Sequence, residues 1–325
     1  MPKFAKIKIG YMFKYYSVLF LIITFLSGCN SQKGTTIDDY VFRKKEERTK
    51  YIKAYNETLK LWKIPFKEEN IITSYGTAHV IITGPKNAEP LVLLHGMDAS
   101  STMWYPNIKV LSKNHRVYAI DFLMEPGKSV SCGETISKEE TIAWYNEIFT
   151  HYNLKKIKIV GASRGGWLAT LLATQENSNI SKMVLLSPAQ TLENLDKMHK
   201  ASSALMFKLF PNKKKLENTL NAFAFYPEKI DPIYKNQFFL ANKFAKANMS
   251  FIQMQPFSKE EIEKITIPVL IMIGDNDIVN SQKSLEKGNE LLPKGEMITI
   301  ENAGHFLTID QPEIVNQKMI EFLEK

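Results

Sequence analysis

Lys158-Ile159-Val160-Gly161-Ala162-Ser163-Arg164-Gly165-Gly166-Trp167 is the stretch whose reading decides the fold. It reads as a buried strand that ends in a glycine-framed serine and turns directly into a helix. A sharp strand-to-helix turn of this kind lifts a serine hydroxyl above the sheet, where it is exposed as a nucleophile. Gly161 and Gly165 have a steric reason to be glycine, because strand and helix approach so closely that a Cβ at either position would strike backbone. The five-residue pattern is weak alone. It gains weight only if the chain also supplies an acid, a base and an oxyanion-binding turn.

Outward from this stretch the chain alternates. Strand-like runs lie at 70–74, 78–83, 90–94, 116–121, 157–160, 182–186, 268–273 and 296–300. The later ones are continuously apolar and β-branched, as strands buried on both faces are. Helical segments are expected at about 103–113, 137–152, 163–176, 281–292 and 311–324. This rhythm predicts an α/β fold with a mostly parallel sheet covered on both sides. The first two runs, joined at Tyr75-Gly76-Thr77, suit an antiparallel hairpin at one edge. The rhythm breaks between Pro188 and Pro268, where Phe- and Met-rich helical segments at 204–210 and 231–249 suggest an inserted lid. Within it, Asn212-Lys213-Lys214-Lys215 reads as a solvated turn.

Three further sites fall at strand ends. His95-Gly96-Met97-Asp98 follows the 90–94 run, and its turn would offer a backbone N–H toward Ser163. Serine hydrolases pair such an N–H with the one after the nucleophile, which here gives Met97 and Arg164. The His95 side chain itself reads as a turn residue that does not touch substrate. Gly274-Asp275-Asn276-Asp277 follows the 268–273 run, and two aspartates compete there for the acid's role. Asp277 has the better spacing for a loop curling toward a histidine, whereas Asp275 suits capping the turn. His305, in Asn302-Ala303-Gly304-His305, follows the 296–300 run just before the last helix, completing the order nucleophile, acid, histidine. An imidazole there would take the serine proton and return it to the leaving group, while the aspartate fixes its tautomer. His79, His115, His151 and His199 lack such settings.

With Leu93-Leu94-His95-Gly96, Gly161-Ala162-Ser163-Arg164-Gly165, Gly274-Asp275-Asn276-Asp277 and Asn302-Ala303-Gly304-His305-Phe306-Leu307 in this order, the chain resembles the α/β-hydrolase superfamily from about residue 70 to 325. The resemblance is to its small esterase and lipase-like members. It implies an eight-stranded sheet, a helical lid at about 190–262 and hydrolysis of a carboxylic ester through Ser163, His305 and Asp277. No cofactor or metal is expected. The same triad would also serve acyl transfer, perhydrolysis or C–C hydrolysis, or sit in a ligand-binding envelope protein. Relatives with an aspartate at the elbow, the dehalogenases and epoxide hydrolases, are disfavoured by Ser163. The loop Asp121-Phe122-Leu123-Met124-Glu125-Pro126-Gly127-Lys128-Ser129 departs from the shorter, glycine-richer pattern of many relatives.

The N-terminus points to location. Residues 1–28 carry four lysines and no acid, and Tyr15 to Cys29 runs without a charge. The apolar run suits a secretory signal rather than a membrane span of about 20 residues. Leu26-Ser27-Gly28-Cys29 looks like a bacterial lipobox, which implies cleavage after residue 28, diacylation of Cys29 and an extracytoplasmic, membrane-anchored protein. Residues 29–62 are then a tether and an N-terminal helix, and 63–325 the hydrolase domain. The only other cysteine, Cys132, reads as an incidental loop residue, and two cysteines exclude a disulfide framework or a cysteine-based metal cluster. The net charge of +8 is spread without an arginine-rich stripe, so nucleic-acid binding is not expected.

Overall fold

The apolar runs form one sheet whose central strands are buried on both faces. The computed structural model describes residues 40–133, 135–194, 198–246 and 254–325, with the backbone alone at 198–201. The signal segment and Cys29 lie outside the described residues. The strands are β1 Phe66–Thr73, β2 Gly76–Thr83, β3 Glu89–Leu94, β4 His115–Ile120, β5 Val130–Ser131, β6 Ile157–Ala162, β7 Ile180–Leu186, β8 Val269–Gly274 and β9 Gly295–Ile300. They pair in the order β1-β2-β4-β3-β6-β7-β8-β9, with β5 beside β2. β1, β2 and β4 meet antiparallel, and every pairing from β4 across to β9 is parallel. The expected eight strands therefore become nine, because Ser131 and Val130 pair with Gly76 and Thr77 at the hairpin. Two residues carry too little pattern to be read as a strand.

Alternate residues along the strands serve two cores. Leu91 and Leu93 face Tyr51, Tyr55 and Trp104, whereas Val92 and Leu94 face Trp144, Leu168 and Leu285. The second face is covered by α2 Lys138–His151, α3 Arg164–Ala173 and α7 Gln282–Leu291. The first is covered by α1 Lys45–Leu59 and α8 Pro312–Glu324. A capping box between Ser137 and Glu140 starts α2 by satisfying amides that have no partner inside the helix. The helix expected at 103–113 is instead a 3-10 turn at Ser101–Trp104 and a single α-turn at Ile108–Leu111. Pro106 separates them, because proline has no N–H and disfavours helical backbone in the residue before it.

Between β7 and β8 the inserted segment contains α4 Met198–Leu209, α5 Lys213–Phe223 and α6 Pro232–Phe244. Asn212 to Lys215 is not a free turn. Asn212 caps α5 by accepting the Lys215 N–H at 3.0 Å, and the lysines form the first helical turn. The three helices share a small core of Phe207, Leu216, Leu220, Ile230 and Tyr234, against which Phe238, Phe239 and Phe306 pack. Gln237 ties α6 down from within. Its amide donates to Tyr51 Oη of α1 at 3.0 Å and Ser100 Oγ at 2.9 Å, and accepts from Thr102 Oγ1 at 2.9 Å. A buried amide with its donors and its acceptor matched specifies one docking geometry.

Candidate active site

The elbow is as tight as its glycines imply. A Cβ on Gly161 would sit under 3.0 Å from the Gly165 backbone, and one on Gly165 under 3.0 Å from the Leu94 carbonyl of β3. Gly165 is therefore fixed by the neighbouring strand as well as by its own turn. Ser163 is held at φ 52° and ψ −114°, a conformation that costs a non-glycine residue about 1–3 kcal/mol and persists only where surroundings enforce it. Its N–H donates to the Leu186 carbonyl of β7 at 2.9 Å.

Two loops bring their side chains to that hydroxyl. His305 Nε2 lies 2.9 Å from Ser163 Oγ, and His305 Nδ1 lies 3.1 and 3.3 Å from the two carboxylate oxygens of Asp277. With Nδ1–H donating to the carboxylate, Nε2 is left to accept the serine proton. Asp277 is buried, and burial is the strongest single influence on it, pushing its carboxyl up. The His305 charge and hydrogen bond, the Asn280 amide at 3.0 Å and the Val279 N–H at 2.8 Å together outweigh it and hold the group below the usual aspartate range. Asp275 is exposed and accepts the Ala303 N–H at 3.1 Å, so it shapes the histidine loop without reaching the imidazole. The other end of that loop is anchored by buried Asp310, which accepts N–H bonds from Gly304, Phe225 and Tyr226.

The turn after β3 lies alongside. A Cβ on Gly96 would be 3.4 Å from Ser163 Cβ, so the chain passes directly beside Ser163. The Gly96 amide points to Met103 Sδ at 3.3 Å, the Asp98 amide donates to Glu125 at 2.9 Å, and Met97 between them lines the cavity over Ser163. Arg164 opens α3, where the first amides have no partner inside the helix. The His95 side chain faces away from the cavity. It accepts the Phe122 N–H on Nε2 at 2.9 Å and donates from Nδ1 to the Gly96 carbonyl at 2.8 Å. Burial pushes its pKa down, which keeps the ring neutral and able to play both parts.

Sequence reasoning missed Glu125. Its buried carboxylate pairs with the Arg164 guanidinium through one oxygen and takes the Asp98 N–H through the other. Burial pushes this carboxyl up, and Arg164 draws it back. One acid thus ties the turn bearing Met97 to the residue that follows Ser163. Asp98, at φ 57°, also pairs with Lys208 on α4. The only signal was an acid directly after the apolar run Phe122-Leu123-Met124.

Ser163 and His305 open into a cavity of about 400 Å³ walled by Met97, Leu186, Leu205, Phe223, Phe238 and Met254, among others. The only acid lining it, among the described residues, is Asp98, which Lys208 neutralises. A second, polar-walled groove of about 540 Å³ near Asn146, Gln175 and Lys264 holds none of the predicted site residues. Among the described residues no cluster of His, Cys, Asp or Glu would hold a metal ion, and no helix is long and apolar enough to cross a membrane.

Residues 86–312 match the family model described as serine aminopeptidase, S33. A Bacillus subtilis (strain 168) protein described as the uncharacterized carboxylesterase nap is 29% identical over 282 residues, covering 84% of this chain and 92% of its own. Carboxylesterase YbfK of the same organism is 27% identical over 293 residues, covering 88% of this chain and 97% of its own. The crystal structure of naproxen esterase (carboxylesterase NP) from Bacillus subtilis superposes with a TM-score of 0.81 at 29% identity, covering 86% of this chain and 99% of that one.

Proposed function

Since the chain belongs to the serine aminopeptidase S33 family and has the α/β-hydrolase fold of a carboxylesterase-like hydrolase, we propose that it cleaves carboxylic esters through Ser163, His305 and Asp277. The observation that carries this reading is the hydrogen-bonded line from Asp277 through His305 to Ser163, open to an apolar cavity. Ser163 Oγ attacks the acyl carbon as its proton passes to His305 Nε2. The carbonyl oxygen becomes an oxyanion, stabilised by the N–H groups of Met97 and Arg164 at about 3 kcal/mol each. The intermediate collapses, the alkoxide leaves with the proton from His305, and an acyl-enzyme remains. A water, deprotonated by the same imidazole, then releases the acid and restores Ser163. Asp277 stays ionised throughout, orienting the ring and balancing its charge.

An ester suits the cavity better than a free amino-terminal peptide. An aminopeptidase needs a carboxylate for the substrate ammonium, and Asp98 is already paired with Lys208. Apolar and methionine-rich walls favour an apolar acyl or alcohol group. Two related carboxylesterases by name support the same bond type. We further propose that Cys29 is lipidated and holds the enzyme outside the cytoplasm. Cys29→Ser would then release it from membranes, and retention would speak against the anchor.

Turnover of p-nitrophenyl esters of increasing chain length tests the enzymatic reading. Ser163→Ala is expected to lower kcat by about 10⁴-fold or more, with wild type preferring the longer chains. Equal rates for the two proteins would remove Ser163 from the mechanism, and a flat chain-length profile would remove the apolar subsite.

A further inference from the structure

The inserted helices leave an apolar stripe uncovered. On α4, Leu205, Met206 and Leu209 are 46%, 45% and 49% exposed, and Phe210 just beyond is 59% exposed. The spacing of three and four residues places them on one helical face. Phe207 points the other way and is buried against the α6 phenylalanines. Isolated exposed apolar residues are ordinary, but a contiguous row of four large ones marks an interaction site.

What flanks the row identifies its occupant. Lys213 and Lys214 are exposed at the start of α5, and Lys215 Nζ lies 4.6 Å from the centre of the Phe210 ring. From Phe210 to Phe223 the chain has three lysines and a single acid, Glu217. Apolar side chains edged by lysines are the composition of a surface that lies in the interface of an anionic bilayer, with its apolar face among acyl chains and its ammonium groups at the phosphates. A second copy is a poorer fit, because a two-fold contact on this patch sets each lysine cluster close to its counterpart. The stripe is also continuous with the site, since Leu205 and Leu209 line the cavity over Ser163.

We propose that the α4 stripe and the lysines opening α5 form a docking surface for an anionic lipid bilayer, seating the mouth of the Ser163 cavity at the membrane. This contact is separate from any acyl anchor at Cys29 and is made whether or not that anchor is present. An apolar ester would then reach Ser163 from the bilayer rather than across water.

The test uses the full chain carrying Phe210→Trp on vesicles with brominated phosphatidylcholine, with or without phosphatidylglycerol. Trp62, Trp104, Trp144 and Trp167 are buried, so wild type on the same vesicles gives the background. Quenching of the added emission on anionic vesicles is expected. The combined variant Lys213→Glu, Lys214→Glu and Lys215→Glu is expected to weaken insertion about 100-fold, at about fivefold per lysine. High salt should weaken insertion of the Phe210→Trp chain, which tests the charge requirement without relying on that variant's folding. None of these four residues lines the cavity, so turnover of a soluble ester should stay within twofold. Because that turnover is read in the same samples, failure of docking is distinguishable from failure of the hydrolase reading. An unquenched residue 210 on anionic vesicles, whether the chain is bound or free, overturns the proposal, as does equal quenching on zwitterionic vesicles. A concentration-dependent dimer without quenching also overturns it, assigning the stripe to a second copy.

Discussion

At the floor of the cavity, Ser163 stands on a turn where added carbons at Gly161 or Gly165 would meet backbone under 3.0 Å away. At its roof, α4 presents Leu205 and Leu209 from a helix whose buried side rests on phenylalanine rings and whose outer side is exposed. Backbone packed on backbone has one solution, so the floor holds the geometry on which positioning catalysis depends. Aromatic and methionine side chains packed on one another have several, so the roof suits varied apolar groups. The roof itself is uneven. α6 is secured by the buried Gln237 bonds to Tyr51, Ser100 and Thr102, whereas Lys208 of α4 forms an ion pair with Asp98 of the floor.

The contrast is broken most directly by a single substitution in each region, an added carbon in the floor and a lost ion pair in the roof. Gly165→Ala is expected to cost about 3 kcal/mol or more in urea unfolding, while Lys208→Met costs about 1 kcal/mol. Similar losses would mean that the elbow is not held by close backbone approach. Glu125→Gln sharpens the comparison, because it removes one charge of a buried pair. A loss of about 3 kcal/mol is expected, with kcat/KM for a soluble ester at least tenfold lower if Glu125 aligns the Met97 and Arg164 amides. Stability lost with kcat/KM unchanged would leave Glu125 a purely structural residue.

Acid should loosen the floor next. Burial lowers the pKa of His95 and of His115 below the ordinary 6.5. Below about pH 6.5 the unfolded chain takes up protons that the native chain excludes. Stability therefore falls with pH in that window, by at most about 1.4 kcal/mol per pH unit for each histidine. His95→Asn should flatten the slope, and an unchanged slope would remove His95 as a source. The smallest effect belongs to the Lys208–Asp98 pair. Lys208→Met should raise KM a few-fold with kcat nearly unchanged, and a large fall in kcat would place the pair within the floor's machinery.

The floor was also the more legible region. Its strands are unbroken apolar runs, and its key turns are marked by Gly161, Gly165, Gly274 and Gly304, each where a Cβ would meet backbone. The competition between Asp275 and Asp277 was open in the sequence because both sit on one turn, and only the course of the loop decides which carboxylate faces His305. Glu125 was invisible for another reason. Its partners Asp98 and Arg164 lie 27 and 39 residues away, and no local pattern records such a meeting. The start of α5 was misread because an asparagine followed by three lysines has no apolar spacing, although Leu216, Leu220 and Phe223 beyond it do.

The central claim is that Ser163 is the nucleophile activated by His305, and reaction with a fluorophosphonate followed by intact mass and peptide mapping tests it most directly. The account predicts one adduct per folded chain, on Ser163, absent in Ser163→Ala and formed far more slowly in His305→Ala. An adduct on another residue, or a folded wild-type chain that does not react, would contradict it.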